Sequence, residues 1–157
     1  MILRKAVMPD VEAIYTLIQQ YAEEGLLLSR SRLSLYENLQ SLTVAEENGR
    51  VIGVAGLHIL WSDLAEIRSL AIAPDSKGKG IGKQLVLQLI QEAESLGIAR
   101  VFALTYQVAF FEKCGFQLIQ KESLPQKVWK DCMNCKKFPT CDEIAMIFYI
   151  PSLVPVP

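Results

Sequence analysis

The sequence has a single histidine, His58, and almost no excess charge: 16 lysines and arginines stand against 17 aspartates and glutamates, for a net charge of −1. A lone histidine on an apolar stretch has no second histidine to share a metal with, and reads as a packed or strand-edge residue. A balanced chain carries no broad positive field, which excludes bulk attraction to nucleic acid or to an anionic membrane but leaves room for a local basic cluster. Long apolar runs are also missing. The longest strongly apolar stretch, Val51 to Trp61, is too short for a membrane helix. Asp10 and Glu12 follow soon after Arg4 and Lys5, with no apolar h-region between them. These absences lead to the expectation of a soluble cytoplasmic protein with no nucleic-acid or membrane partner. Its four cysteines are then expected as reduced thiols. No internal repeat or low-complexity segment interrupts the chain.

What remains is a chain of 157 residues, 51% hydrophobic and 21% charged, the balance of one globular domain with its own core. Ile2 to Lys5 reads as a strand, and Val11, Ile14, Leu17, Ile18 and Tyr21 mark the buried stripe of a helix from Pro9 to Glu24. Ser31 is placed to cap a short helix carrying Leu33, Leu35, Tyr36 and Leu39. A meander follows: Leu42 to Glu46, an Asn48-Gly49 turn, Val51 to Leu60, then Leu64 to Ala73. A long helix from Gly80 to Leu96 precedes a strand at Arg100 to Thr105, a helix at Val108 to Lys113, and strands at Phe116 to Gln120 and Ile144 to Ile150. The order β-α-α-β-β-β-α-β-α-β-β describes an α/β (α+β) domain over residues 1–150. It has a mixed central sheet of about seven strands and helices on both faces. Residues 151–157, an apolar proline-rich tail, cannot pair in a central strand and leave a homodimer open.

The most informative segment is Ala73-Pro74-Asp75-Ser76-Lys77-Gly78-Lys79-Gly80-Ile81-Gly82-Lys83, which joins a strand to an amphipathic helix. Alternating glycines let the backbone approach a ligand with its N–H groups turned inward, and the helix start adds its positive dipole end. Lys77, Lys79 and Lys83 add cations, completing a socket for a diphosphate. The spacing is not that of a Walker loop, because only three residues separate Gly78 from Gly82, and Gln84 stands where a magnesium-binding hydroxyl is needed. A dinucleotide-binding fingerprint is also absent.

Lys77-Gly78-Lys79-Gly80-Ile81-Gly82 resembles the acetyl-CoA motif of the GNAT superfamily, with Lys77 in place of the usual glutamine or arginine. Ala109-Phe110-Phe111-Glu112-Lys113-Cys114-Gly115-Phe116 resembles a second signature of that superfamily. The resemblance implies the GNAT fold and acetyl-CoA as co-substrate without a required metal. The implied coenzyme contacts are Leu70, Ala71, Ile72, Lys77, Gly78, Lys79, Gly80, Ile81, Gly82, Lys83 and Phe111, with the N–H of Leu70 polarising the thioester. Gly25-Leu26-Leu27-Leu28-Ser29-Arg30-Ser31-Arg32, Ala65-Glu66-Ile67 and Leu70-Ala71-Ile72-Ala73-Pro74 further resemble bacterial N-acetylglutamate synthases. That likeness implies acetyl transfer to an amino acid, L-glutamate first, feeding arginine synthesis. The amino-acid-kinase-like domain of the longer synthases is not in this sequence, so feedback through it is not expected.

Transfer to an amine needs a base for the ammonium proton, donors for the thioester oxygen and tolerance of a leaving thiolate. Glu66 is the candidate base, on the strand that leads into the glycine loop; its alternative role is to pair with Arg68. Glu66, Arg68 and Leu70 are expected to alternate onto one face of that strand. Many GNAT enzymes have a tyrosine acid where this chain has Phe111; Tyr106 is either its substitute or a packing residue. Arginine forks suit carboxylates, so Arg30, Arg32, Arg68 and neighbouring Ser69 are the acceptor candidates, against solvated arginines or a helix-start salt bridge. Cys132, Cys135 and Cys141 offer a partial zinc pattern lacking a fourth ligand, and structural thiols compete with that reading. Other acceptors, such as a different amino acid or a protein N-terminus, stay open. So does a non-catalytic sensor of acetyl-CoA or amino acids.

Overall fold

Periodicity and turn chemistry place the elements almost where the chain adopts them. The structure, a computed structural model, describes residues 1–125 and 142–154. In chain order the elements are β1 (Ile2–Lys5), α1 (Val11–Glu23), α2 (Arg32–Glu37), β2 (Leu42–Glu47), β3 (Arg50–Trp61), β4 (Leu64–Ile72), α3 (Ile81–Leu96), β5 (Arg100–Thr105), α4 (Val108–Lys113), β6 (Gln117–Leu118) and β7 (Ile144–Tyr149). The strands form one seven-stranded mixed sheet in the order β1-β2-β3-β4-β5-β7-β6. β4 and β5 pair in parallel, whereas β1–β2, β2–β3, β5–β7 and β6–β7 are antiparallel. The expected class and strand count are borne out.

The chain divides into two compact units, the first being Met1–His58 with Ile67–Glu92. Here Val11, Ile14, Leu17 and Ile18 bury the apolar stripe of α1. The helix begins later than Pro9, because Met8–Asp10 forms a separate 3-10 turn. Asp10 closes that turn by accepting the Val7 N–H at 2.8 Å and takes a two-point hydrogen bond from Arg4 at 2.7 and 2.9 Å. The Arg4 guanidinium holds the Asp10 carboxyl below the usual carboxylate range, against the opposing effect of burial. Ser31 caps α2 as expected, accepting the Ser34 N–H at 3.1 Å. Leu39, expected on the same helix, is not part of α2 but of a following 3-10 turn; on α2, Leu35 is buried while Leu33 and Tyr36 are exposed. Six residues cannot bury more than one narrow face.

Asn48 and Gly49, with φ of 52° and 76°, make the two-residue hairpin turn between β2 and β3. Gly53 on β3 lets α3 approach closely: a Cβ there would meet Ile72 Cδ1 at 2.9 Å and Leu85 Cδ1 at 3.2 Å. Ile81 and Leu85 of α3 and Ile72 of β4 meet over Gly53, setting the start of α3 beside the end of β4, and Val86 and Leu89 are buried further along the helix.

The second unit is Ile59–Glu66 with Ala93–Pro157. β5 and β7 pair along their length, from Arg100↔Tyr149 to Thr105↔Ile144. β6 is only two residues long, shorter than the expected Phe116 to Gln120. Leu64, Phe102, Leu124, Ala145 and Ile147 form the core, with Leu60, Leu104 and Ile119 packed against it. Phe116 lies between the rings of Phe111 and Phe148, at centroid distances of 5.1 and 5.5 Å. Cys114 is buried, in keeping with a packing role.

Candidate active site

The loop between β4 and α3 is built from its hydrogen bonds outward. Ala73 donates its N–H to the Ile52 carbonyl at 2.8 Å, and Ser76 donates to Ala73 at 2.8 Å to close a 3-10 turn over Pro74–Ser76. Asp75 in that turn is paired with Arg50 at 2.9 and 3.2 Å. Gly78 and Gly80 take φ of 81° and 79°, and a Cβ at either would meet nothing within 4 Å. Backbone conformation, not crowding, therefore selects glycine here, and the space beside each is open. The first helical bond of α3 runs from the Gln84 N–H to the Gly80 carbonyl. The amides of Ile81, Gly82 and Lys83 therefore come before the helical ladder and point out of its positive end. Lys77, Lys79 and Lys83 are exposed, whereas Ile81 is buried as the first core residue of the helix.

Sequence reasoning missed one contributor to this loop. Tyr21, read as part of the α1 stripe, donates its hydroxyl to the Ile72 carbonyl at the end of β4, and its ring carries the Lys77 Nζ at 4.8 Å from the centroid. The available signal was a polar tip on an otherwise apolar stripe.

Along β4, Glu66 is buried at 7% relative exposure and pairs with Phe102, the last of three parallel pairs with β5. Arg68, Ser69 and Leu70 are half-buried, Ala71 is buried and Ile72 half-buried. Ser69 has φ of 58°, a left-handed conformation inside a strand. This corrects the expected alternation. The left-handed Ser69 interrupts the two-residue period between Arg68 and Leu70.

Among the arginines, Arg30 is half-buried between α1 and α2. Arg32 is exposed and already engaged: its guanidinium meets Glu12 at 2.8 and 3.2 Å and lies 4.1 Å from the Tyr15 ring centroid. The helix-start salt bridge weighed from the sequence is thus what Arg32 forms, and the pair draws the Glu12 carboxyl below its ordinary range. Tyr106 is half-buried just after β5, and Thr105 Oγ1 accepts the Gln107 N–H at 2.8 Å in the same turn. Phe111 is buried, edge-on to Phe110 and Phe116 at 5.1 Å from each. Cys132, Cys135 and Cys141 lie outside the described residues. Among the described residues no group of three or more His, Cys, Asp or Glu is placed to hold a metal, and no helix is long and apolar enough to cross a membrane.

A glycine loop with left-handed backbone and open space, opening into a helix start beside three lysines, suits a diphosphate. The family model for the acetyltransferase (GNAT) family matches residues 10–116. The chain belongs to the GNAT acetyltransferase family. It is an acetyl-CoA-dependent N-acetyltransferase. The GNAT chain is 41% identical over 145 residues to an uncharacterized N-acetyltransferase of Chlorobaculum tepidum, covering 92% of this chain and 94% of that one. It is 35% identical over 156 residues to an amino-acid acetyltransferase of Mycobacterium tuberculosis, covering 98% and 89%. Among solved structures, N-acetylglutamate synthase from Neisseria gonorrhoeae, complexed with coenzyme A and N-acetyl-glutamate, superposes with a TM-score of 0.86 at 29% identity. That match covers 98% of this GNAT chain but 35% of the synthase, so the chain spans about a third of that protein's length.

Proposed function

We propose that this GNAT enzyme transfers the acetyl group of acetyl-CoA to the α-amine of L-glutamate, by direct attack, in the cytoplasm and in the service of arginine synthesis. The observation that carries the acceptor is the superposition of 98% of this chain on about a third of a synthase complexed with coenzyme A and N-acetyl-glutamate. The amino-acid acetyltransferase from Mycobacterium tuberculosis, matched over almost the whole of both chains, supports an amino acid as the acceptor.

In this reading the amides from Gly78 to Lys83, with Lys77, Lys79 and Lys83, grip the diphosphate. Leu70, Ala71 and Ile72 lie along the coenzyme's arm, and the Leu70 N–H donates to the thioester oxygen as charge builds there. Phe111 lines the same arm with an apolar edge. Arg30 takes a glutamate carboxylate as a two-point fork, with Arg68 and Ser69 beside the amine. Arg32, tied to Glu12, ranks behind Arg30. Glu66 accepts the ammonium proton directly or through one water. The freed amine then bonds to the carbonyl carbon as the carbon–sulfur bond breaks, the electron pair leaves on sulfur, and the remaining surplus proton on nitrogen passes to the departing thiolate to give the neutral amide and the thiol. A thiol's ordinary pKa of about 8.5 makes that departure easy near neutral pH. Tyr106 is the available acid, and Phe111 has no proton to give.

The test is a panel of amines with acetyl-CoA, following thiol release. L-Glutamate or its amide is expected to be the best acceptor. Acetylation of a peptide N-terminus with no amino acid accepted would remove the glutamate reading and leave the family assignment standing.

A further inference from the structure

The glycine loop after β4 is contacted near its start, at Ile72 and at Lys77, by one side chain that is not part of it. Tyr21, on the last turns of α1, is half-buried. Its hydroxyl donates to the Ile72 carbonyl, the last residue of β4, and its ring face receives the ammonium of Lys77, the residue before Gly78. Between those points the backbone turns through Pro74–Ser76 with Ser76 buried. The tyrosine thus spans the entry of the loop, one contact on the strand side and one on the glycine side.

The two contacts differ in kind. The hydroxyl bond ties down a carbonyl at the point where the strand stops and the chain must start to turn. The ring contact restrains a long, flexible, strongly hydrated cation without consuming its donors, because a ring face attracts the ammonium and leaves its N–H groups able to reach an oxyanion. An unrestrained lysine would lose rotamer freedom on meeting a phosphate; one parked against a ring has already lost part of it.

We propose that Tyr21 is a positioning residue for coenzyme binding: it presets the end of β4 and the Lys77 ammonium so that the loop meets the diphosphate already ordered. The inference rests on the loop's role in holding the diphosphate given under Proposed function. Tyr21 contacts Ile72 and Lys77, and in this proposal acts through them, so its removal is expected to act on coenzyme affinity and not on the chemical step or on the acceptor.

The experiment titrates coenzyme A itself into the full chain by calorimetry, with thermal unfolding of each variant alongside. Tyr21→Phe keeps the ring and loses the hydroxyl bond, and is expected to weaken the Kd about three-fold. Tyr21→Leu loses both contacts, and is expected to weaken it about ten-fold. In a Lys77→Ala background, the further step from Phe to Leu at position 21 should cost almost nothing, since the cation that the ring holds is gone. In turnover assays the KM for acetyl-CoA should rise with Kd while kcat and the acceptor KM stay near wild type. A folded Tyr21→Leu with unchanged Kd would overturn the proposal, as would equal rises in both KM values. Gly80→Ala separates the two layers of the argument. Lost binding there with unchanged binding in Tyr21→Leu sinks only the role of Tyr21. Unchanged binding in both sinks the loop reading with it.

Discussion

Four glycines make a matched set for testing the loop. Gly49, Gly78, Gly80 and Gly97 have φ of 76°, 81°, 79° and 80°, and a Cβ on any of them would meet nothing within 4 Å. Alanine at each therefore costs backbone strain alone, about 1–2 kcal/mol for an L residue in the left-handed region. For a domain of this size that is a fall in Tm of about 2–8 °C, much the same for all four. It is too little to empty the folded state: a domain that starts at about 5 kcal/mol and loses 2 still has under about 1% unfolded. Coenzyme A affinity can then change only through the ligand's own contact with the altered residue. Gly49→Ala in the β2–β3 hairpin and Gly97→Ala after α3 should keep the wild-type Kd. Gly78→Ala and Gly80→Ala should weaken it about 10-fold to 100-fold, the loss of one charge-assisted backbone bond. Calorimetry with coenzyme A at fixed, low salt measures all four beside their melting curves. Four equal Kd values would refute the diphosphate socket, because the loop glycines would then behave as ordinary turn residues.

Three further outcomes follow from named side chains. Glu66→Gln should lower kcat about 10² to 10⁴-fold near neutral pH, with the deficit shrinking as rising pH supplies free amine; a pH–rate profile parallel to wild type at full height clears Glu66 of the proton. Arg30→Ala should raise the glutamate KM about 10-fold to 100-fold while sparing the KM for acetyl-CoA, and Arg32→Ala should do far less because its fork is occupied by Glu12; steady-state kinetics showing the reverse order would reassign the carboxylate site. Asp10 has its carboxyl pKa lowered from 3.8, chiefly by the hydrogen bond from Arg4 and also by the Val7 N–H. A lowered folded pKa means stability that is in place above the unfolded value and drains away as pH falls through the folded one. Asp10→Asn should therefore cost about 3 kcal/mol at neutral pH and flatten the acid limb of stability below about pH 5; urea midpoints with parallel acid limbs would contradict this.

How much of this was readable in advance divides by the range of the interaction. β1, β5 and α4 lie where the sequence placed them, because alternation, helical spacing and the Asn48-Gly49 turn are signals within a few residues. The glycine loop was legible for the same reason: spacing, lysines and a helix start all fall within one short segment. Contacts across the chain were not. The hydroxyl of Tyr21 reaches Ile72, 51 residues on, and Arg32 finds Glu12, 20 residues back. Neither partner is marked by anything beside it. The placement of Leu39 on α2 was missed because the sequence supplied apolar spacing for a longer helix than the one that forms. Ser69 gave no warning at all, since serine in an apolar strand ordinarily takes an extended backbone.

That silent residue ties together the two halves of the proposed chemistry. A left-handed serine in a strand costs about 1–2 kcal/mol, a strain that persists only where the surroundings over-determine it. With an unbroken two-residue period, Leu70 would repeat the face of Arg68. The parallel pairing with β5 instead ends at Glu66↔Phe102, three residues before the left-handed turn. In the proposed reading the base, Glu66, stands in the last parallel pair with β5, and the donor, Leu70, directly follows the left-handed Ser69. A reading that kept the base and discarded the donor would leave the strain at Ser69 without a use.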